Sequence, residues 1–313
     1  MAEFTHTPVM VGEVVELFGP VPAGVLVDAT VGGGGHAEAL LSAHDHLSLL
    51  GLDRDEDALA ASSERLAGFG DRVTLRHTRF DHLTEEVHAL GIDQVSGVLC
   101  DLGVSSPQLD RPDRGFSYRS NALLDMRMDR TQERTAADLV NTWSESELAA
   151  LLRDAGDERF ARLIARAIVA NRPIERTDEL AEVVRSAIPA PARRRGGDPA
   201  RRSFQALRIG VNDELEILEG TLEQAIDLLR PNGRAAVLAY HSGEDVIVKR
   251  CFRTAATGDC HCPPHLPCGC GAHPTVRLLK QGAWKPSAAE VAANRRAESA
   301  RLRAVEKLPQ EEA

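Results

Sequence analysis

The 313-residue sequence lacks any stretch of the roughly 18 to 20 apolar residues that a bilayer-spanning helix requires. Its first ten residues include Glu3, His6 and Pro8, and they lack the basic start and apolar run of a secretory signal. We therefore expect a cytoplasmic protein with no membrane partner. Hydrophobic residues make up 43% of the chain, which is enough to bury a core in about two domains.

An excess of positive charge is also missing, since the formal net charge is −10. Binding to nucleic acid draws most of its affinity from Lys and Arg on phosphates, so this balance argues against a general, sequence-blind nucleic-acid binder. A nucleic-acid substrate would need local basic patches, although a run of charge by itself is usually a solvated face. Two candidate patches are present: Arg193, Arg194, Arg195, Arg201 and Arg202, and then Arg295, Arg296, Arg301, Arg303 and Lys307.

Cysteine is sparse, with six residues in the chain, and a cytoplasmic location favours reduced, buried or metal-bound thiols over disulfides. Cys100 and Cys251 are typical of small core residues. The other four cysteines share one short segment, and four thiolates can hold zinc tetrahedrally. The C-x-C pairs are tighter than the usual C-x2-C knuckle, however, and prolines separate them. We expect no metal here, and we rank a reduced, proline-stiffened loop above zinc at Cys260, Cys262, Cys268 and Cys270.

Short apolar runs alternate with amphipathic segments in the first third of the chain, which predicts an α/β fold with a parallel sheet and right-handed crossovers. The predicted strands are Val25–Val27, Leu47–Leu52, Val73–Leu75 and Val95–Leu99, ending near Asp28, Asp53 and Asp101 for the first, second and fourth. A helix is expected from about His36 to His44. Alternation resumes with a helix from about Asp213 to Leu229 and a strand over Ala235–Tyr240.

Between these parts, no run indicates a buried strand from about Asp110 to Asn212, and helical patterns predominate. Ser144 is a plausible N-cap for a helix over Ser144–Asp154, and further helices are expected over Asp157–Asn171 and Thr177–Ile188. The pattern predicts one core formed by residues 1–110 and 212–300, interrupted by an all-helical insertion over residues 111–211 that contributes to substrate recognition. Residues 301–313 have the composition of a polar tail.

A glycine-rich turn, Gly32 to Gly35, connects the first strand to the first helix of this pattern. Glycine lets the backbone approach a ligand, and the helix N-terminus presents free N–H donors. Asp53, at the end of the next strand, can accept both hydrogen bonds of a ribose diol. The spacing departs from the G-x-G-x-x-G of dinucleotide folds, and Glu38 would lie badly near a pyrophosphate. S-adenosylmethionine, a phosphate-free cation, is favoured over NAD.

Several long motifs, in the same order along the chain, resemble the ribosomal RNA small subunit methyltransferase H family, which is also called MraW-like. These motifs are His6–Met10, Asp28–His36, Asp101–Asp110, Arg114–Tyr118, Leu124–Asp129, Phe204–Leu215, Tyr240–Asp245 and Asn294–Lys307. The resemblance implies a Rossmann-like class I methyltransferase core with a helical insertion. It also implies methylation of the exocyclic N4 amine of a decoding-centre cytidine in 16S rRNA, with S-adenosylmethionine as cofactor and the small ribosomal subunit as the setting of the substrate.

Carried over position by position, the resemblance places the family's cofactor contacts on Gly34, Gly35, His36, Asp53, Phe80, Asp101 and Gln108. Asp101 is also the candidate catalytic acceptor for the N4 amine; a role restricted to capping its loop and contacting the cofactor is equally compatible with its position. Candidate substrate contacts are Arg193, Arg194, Arg195 and His241. The chain departs from the family pattern at Ala37, usually serine, and at Gly243, usually leucine, and the second change weakens the case for His241.

Three alternatives compete with this reading. A DNA amino-methyltransferase shares the chemistry, but typically has Asn/Asp-Pro-Pro-Tyr/Phe where this chain has Asp101-Leu-Gly-Val. A nicotinamide dehydrogenase is disfavoured by the glycine spacing. A non-catalytic ribosome assembly module with a vestigial cofactor fold is disfavoured by the intact set of Asp28, Asp53 and Asp101.

Overall fold

The computed structural model describes residues 8–193, 198–260, 262 and 269–309. Its strands are β1 (Gly24–Asp28), β2 (Leu47–Asp53), β3 (Val73–His77), β4 (Val95–Asp101), β5 (Leu229–Ala239), β6 (Val276–Leu278) and β7 (Arg301–Lys307). Its helices are α1 (Val11–Phe18), α2 (Gly35–Ala43), α3 (Glu56–Leu66), α4 (Leu83–Ala89), α5 (Ser106–Asp110), α6 (Ala136–Thr142), α7 (Glu145–Asp154), α8 (Ala161–Ala170), α9 (Thr177–Ala187), α10 (Ala190–Arg193), α11 (Ala200–Asn212), α12 (Leu218–Leu228), α13 (Ser242–Thr257) and α14 (Ala288–Ala293).

All seven strands form one sheet in the order β3-β2-β1-β4-β5-β7-β6. The first five are mutually parallel, and β7 runs antiparallel to both β5 and β6. The predicted Rossmann-like α/β sheet is confirmed, and β1 to β4 form where their apolar runs predict them. The chain order reverses between β1 and β4, and such a switch point is where open α/β sheets bind ligands, outside the carboxyl ends of the strands.

The chain divides into two compact units. The first comprises Met1–Gly103 and Ile217–Ala313, and the second comprises Val104–Glu216. In the first unit, both sheet faces are covered, as a parallel sheet requires. One face packs on α4, α12 and α13 through side chains such as Leu83, Leu222 and Phe252. The other face packs on α1 and α2 through Phe18 and Leu40.

The second unit has its own core and contains α5 to α11. Its helix α7 begins after Ser144, whose hydroxyl accepts from the backbone N–H of Glu147, so the predicted N-cap is confirmed. The description of this unit as all-helical is not confirmed, because an antiparallel bridge also joins Leu123 to Arg176. Among the described residues of both units, no helix combines the length and apolar character needed to cross a bilayer.

Residues 301–307, which their charge assigns to a polar tail, instead form β7 inside the sheet, so that prediction is wrong. Glu306 accounts for much of the difference. It lies opposite Arg234 on β5 and opposite Arg277 on β6. Arg234 donates to its Oε2 at 2.9 Å and Arg277 to its Oε1 at 2.6 Å. The charges are therefore paired across three strands, while Leu302 and Val305 are fully buried.

Replacing Glu306 with alanine should lower the free energy of unfolding by about 3 kcal/mol, because it leaves the largely buried Arg234 without its partner. Chemical denaturation of the purified chain measures the change. Glu298→Ala, which removes an exposed carboxylate just before β7, is the matched control and should change stability by less than about 0.5 kcal/mol. Equal losses in the two variants would contradict a specific role for the Glu306 pairs.

Candidate cofactor site and active site

Three aspartates end the three adjacent strands at the switch point: Asp28 on β1, Asp53 on β2 and Asp101 on β4. Since β1 lies between β2 and β4 and all three strands run parallel, their carboxyl ends meet at one edge of the sheet. The structure thus brings together the acids that the sequence singles out. All three belong to the first unit.

The glycine loop is tied to the strands on both sides of β1. The backbone N–H of Ala29 donates to Leu99 on β4, and that of Val31 donates to Leu52 on β2. Gly34 has a φ of 76°, a left-handed conformation that favours glycine, and a Cβ there would lie 3.2 Å from that of Ser62. A Cβ on Gly35 would overlap the ring of Pro8. Glycine is therefore required at the start of α2 for local geometry, and its role in ligand approach stays a prediction.

Asp53 is fixed by two backbone donors before any ligand is considered. Its Oδ2 accepts from Gly32 at 2.8 Å and its Oδ1 accepts from Asp55 at 2.9 Å. Burial raises the pKa of this carboxyl, and the two N–H donors oppose that rise. A carboxylate has about four acceptor positions, so both oxygens keep capacity for the hydroxyls of a ribose. The loop and its acid are preorganised together.

Asp53→Ala should weaken binding of S-adenosylmethionine by about 1 to 3 kcal/mol, since it removes charge-assisted acceptors for the ribose diol. Isothermal titration calorimetry measures the affinity, and circular dichroism verifies that the fold is retained. Glu64→Ala removes an exposed acid from the neighbouring helix α3 and should bind normally. Unchanged affinity in a folded Asp53→Ala protein would rule out the ribose assignment.

Asp101 lies at the centre of a chain of polar contacts. Its Oδ1 accepts from the hydroxyl of Tyr240 at 2.7 Å, and its Oδ2 lies 3.5 Å from Nδ1 of His36. The other ring nitrogen of His36 is 2.9 Å from the carbonyl of Val9. A carbonyl only accepts, so Nε2 carries the proton of this contact, and Nδ1 is the ring nitrogen that faces the carboxyl of Asp101. The backbone N–H of Asp101 donates to Thr30 at 2.6 Å.

Tyr240 is the residue of this site to which the sequence patterns assign no role, although it stands within a quoted motif. It follows the last residue of β5, the strand that pairs with β4 on the side away from β1. The rule that picks out the three aspartates, a polar side chain where a parallel strand ends, would also have picked out Tyr240. Burial and the adjacent Asp101 raise its pKa well above the ordinary value, so the phenol stays protonated and donates.

Asp28 is a second carboxyl at this edge whose pKa is strongly raised. It is 1% exposed, and its Oδ1 accepts from the backbone N–H of Thr30 at 3.2 Å. Burial, followed by the charges of Asp101 and Asp53, raises its pKa from 3.8 to about 8. Clustered buried carboxylates suit a cationic ligand, because positive charge would favour their ionised forms. These carboxylates can attract the sulfonium of S-adenosylmethionine and accept hydrogen bonds from its diol, whereas they would repel a pyrophosphate.

The affinity for S-adenosylmethionine should rise as the pH increases from about 6 to about 8 and then level off. Below pH 8 the free protein holds a proton on Asp28, and a cation bound at this edge favours its release. Calorimetry in two buffers of different ionisation enthalpy measures both the affinity and the proton released. Asp28→Asn keeps an acceptor for Thr30 and should flatten the profile. A wild-type affinity that is constant between pH 6 and 9 would contradict this coupling.

Two further predicted cofactor residues lie in well-defined but different settings. Phe80 begins a 3-10 helix after β3, is 8% exposed and packs in the core, with the guanidinium of Arg54 5.5 Å from its ring centroid. Gln108 belongs to the second unit, where its Oε1 accepts from the backbone N–H of Ser105 in a capping box at the start of α5. Stacking on adenine and a cofactor contact at Gln108 stay predictions.

His241 is the N-cap of α13, a role that the sequence patterns did not assign to it. Its Nδ1 accepts from the backbone N–H of Glu244 at 3.4 Å, and its Nε2 lies 3.1 Å from Oε1 of the same residue. The second contact lacks hydrogen-bond geometry, so Nε2 is buried without a hydrogen bond. The geometry explains His241 as a structural residue, and its contact with substrate stays a prediction.

The structure describes only part of the first predicted basic patch, and it shows internal contacts for part of the second. Arg193 is the last residue of α10, while Arg194 and Arg195 lie outside the described residues. In the second patch, Arg303 makes a paired contact with Asp245, and Lys307 donates to the carbonyl of Ile226. These two side chains hold β7 to α13 and to α12, so this patch offers less charge to RNA than its sequence suggests.

The sheet order, the glycine loop and the three strand-end acids define a Rossmann-like class I methyltransferase that uses S-adenosylmethionine. The MraW methylase family matches residues 3–308, and the chain belongs to that family.

Two relatives are each named ribosomal RNA small subunit methyltransferase H. The protein from Thermobifida fusca is 54% identical over 96% of this chain and 93% of its own length. The protein from Symbiobacterium thermophilum is 52% identical over 97% of both. Among solved structures, an rRNA methylase from Streptococcus thermophilus aligns with 96% of this chain and 94% of its own, at 12% identity and a TM-score of 0.42. This structural similarity is too distant to support a conclusion about function.

Proposed function

We propose that this chain transfers the methyl group of S-adenosylmethionine to the exocyclic N4 amine of a cytidine in 16S rRNA, within the small ribosomal subunit in the cytoplasm. Family membership and the names of the relatives support an rRNA of the small subunit as substrate. The observation that carries the chemistry is the Asp101 carboxylate, held at the end of β4 by Tyr240 and facing His36.

The N4 amine of cytosine is a poor nucleophile because its lone pair is delocalised into the ring. S-adenosylmethionine, when bound, supplies a methyl group activated by a sulfonium. Asp101 then has two tasks: it accepts a hydrogen bond from the amine, which helps to localise the lone pair, and it takes up the proton that the amine loses. The rest of the rate enhancement comes from positioning, and no group in this set requires a metal.

Tyr240 acts through Asp101 and is a positioning residue. Its hydroxyl fixes one carboxylate oxygen, which leaves the other to face His36 and the approaching amine. The hydroxyl of Thr30 accepts from the backbone N–H of Asp101, and the backbone N–H of Thr30 donates to Asp28. The acceptor and the cofactor acid Asp28 are therefore held by one local network.

Positively charged side chains contribute to the proposed binding of the RNA substrate. An acidic chain binds RNA through restricted basic regions, and we assign phosphate contacts to Arg193, Arg194 and Arg195. The target base must leave its stack to reach the methyl group, which implies base extrusion. A base presented by an assembled ribosomal subunit makes that step easier than one in a regular duplex, and the same reasoning disfavours duplex DNA as substrate.

Nucleoside mass spectrometry of 16S rRNA tests this function in cells that lack the gene. N4-methylated cytidine should disappear, and a plasmid copy of the wild-type chain should restore it. Asp101→Ala should not restore it, because the acceptor is missing. Retention of the modified nucleoside in the deletion strain would refute the proposed substrate. Restoration by a folded Asp101→Ala protein would remove Asp101 from catalysis and favour another group on the same edge.

Tyr240→Phe separates positioning from binding in the same assay performed with purified small subunits. Loss of one hydrogen bond to a charged group should lower kcat by about 10- to 100-fold, with the affinity for S-adenosylmethionine nearly unchanged. If Tyr240→Phe instead changes only the cofactor affinity, the hydroxyl does not orient the acceptor. Activity on naked duplex DNA comparable to that on small subunits would favour the DNA methyltransferase alternative.

A further inference from the structure

A second group of functional side chains lies in the loop between α13 and β6. The two ends of this loop are tied together: the backbone N–H of Thr275 donates to Ala255 at 3.0 Å, and Gly258 packs so closely on His273 that no Cβ would fit. Gly258 and Asp259 both have positive φ, and together they turn the chain sharply out of the helix. The loop is thus closed at its neck.

Three cysteines of this loop converge on one point. The Sγ atoms of Cys260, Cys262 and Cys270 all lie within 4.8 Å of one another, and those of Cys260 and Cys270 are 3.6 Å apart. A disulfide would require about 2.05 Å between sulfurs and would leave the third cysteine over. Thiolates about 2.3 Å from a shared tetrahedral ion are about 3.8 Å apart. The 3.6 Å between Cys260 and Cys270 is close to the second arrangement, and the third sulfur lies within 4.8 Å of both.

The sequence of this loop contains few side chains that could form a hydrophobic core. From Cys260 to Ala272 the sequence contains one large aliphatic residue, Leu266, among prolines, histidines, glycines and cysteines. Among the described residues, the hydrophobic core resumes only at Val276 after Ala256. Small segments without a core are commonly stabilised by a metal or by disulfides. Three converging thiolates supply the ligands for the first of these.

We propose that Cys260, Cys262 and Cys270 bind one Zn²⁺ as thiolates and that the ion clamps this loop. The role is structural. Helix α13 begins at Ser242, two residues after Tyr240, and its sixteen residues end at Thr257, so the loop emerges roughly 24 Å from the active-site edge. Zinc is favoured among soft ions because it is redox-inert and takes tetrahedral sulfur sites. The three thiolates leave one position for a further ligand.

Elemental analysis tests the proposal on the full-length chain, purified from the cytosol without chelators. We expect about one zinc per chain. Replacement of that zinc by Co²⁺ should give the thiolate-to-cobalt charge-transfer absorption of a tetrahedral sulfur site. Cys260→Ser, Cys262→Ser and Cys270→Ser should each lose most of the metal and the absorption. Cys251→Ala, which changes a core cysteine on α13 outside the cluster, is the matched control and should keep both.

A structural clamp also predicts a separable effect on the loop. Removing the ion should speed proteolysis between Asp259 and His273, while the affinity for S-adenosylmethionine stays within about twofold of the holoprotein's. The proposal is overturned if the isolated chain holds no zinc and the reduced protein gives no cobalt absorption. It is equally overturned if the serine variants keep full metal, if the bound metal is iron, or if fresh protein contains a Cys260–Cys270 disulfide.

Discussion

The constraint on which the site depends is the crowding of three carboxylates at one edge of a parallel sheet. Parallel strands end together, so acids on β1, β2 and β4 meet whether or not a ligand is present. Burial, and after it the charges of Asp101 and Asp53, raise the pKa of Asp28. Backbone donors from Gly32, Thr30 and Asp55 offset part of the cost. A ligand that brings positive charge and hydroxyl donors, as a sulfonium nucleoside does, would relieve the remainder.

Asp101 connects this electrostatic arrangement to the chemistry. Through Tyr240 it is joined to the end of β5, and through His36 to helix α2 and the carbonyl of Val9. The glycine loop that begins α2 and the acceptor that would face the substrate amine are therefore one cooperative unit. The network links cofactor binding to the orientation of the acceptor, while a single contact such as that of Tyr240 acts on the second of these.

Much of the first unit could be predicted because its strands are continuous apolar runs, and the acids follow those runs directly. Other features could not be predicted, because they depend on contacts between residues that are far apart in the sequence. β7 has four charged residues in seven, and nothing local shows that Glu306 meets Arg234 and Arg277 on two other strands. Helix α12 begins at Leu218 and not near residue 213, because Asp213 adopts a left-handed conformation that ends α11. The capping role of His241 likewise depends on side-chain geometry.

Ion pairs between distant residues also change what can be concluded about RNA binding from the net charge of the chain. Arg234, Arg303 and Arg208 each make short contacts with a carboxylate inside their own unit, and these pairs hold strands and helices in place. Arginines that stabilise the fold do not release counterions from a phosphate backbone, so the charge available to a nucleic acid is smaller than the arginine content suggests. A chain of net charge −10 with part of its arginine committed internally cannot hold RNA by charge alone. The proposed function is consistent with this balance, because a folded ribosomal subunit offers a shape to recognise and a free strand does not.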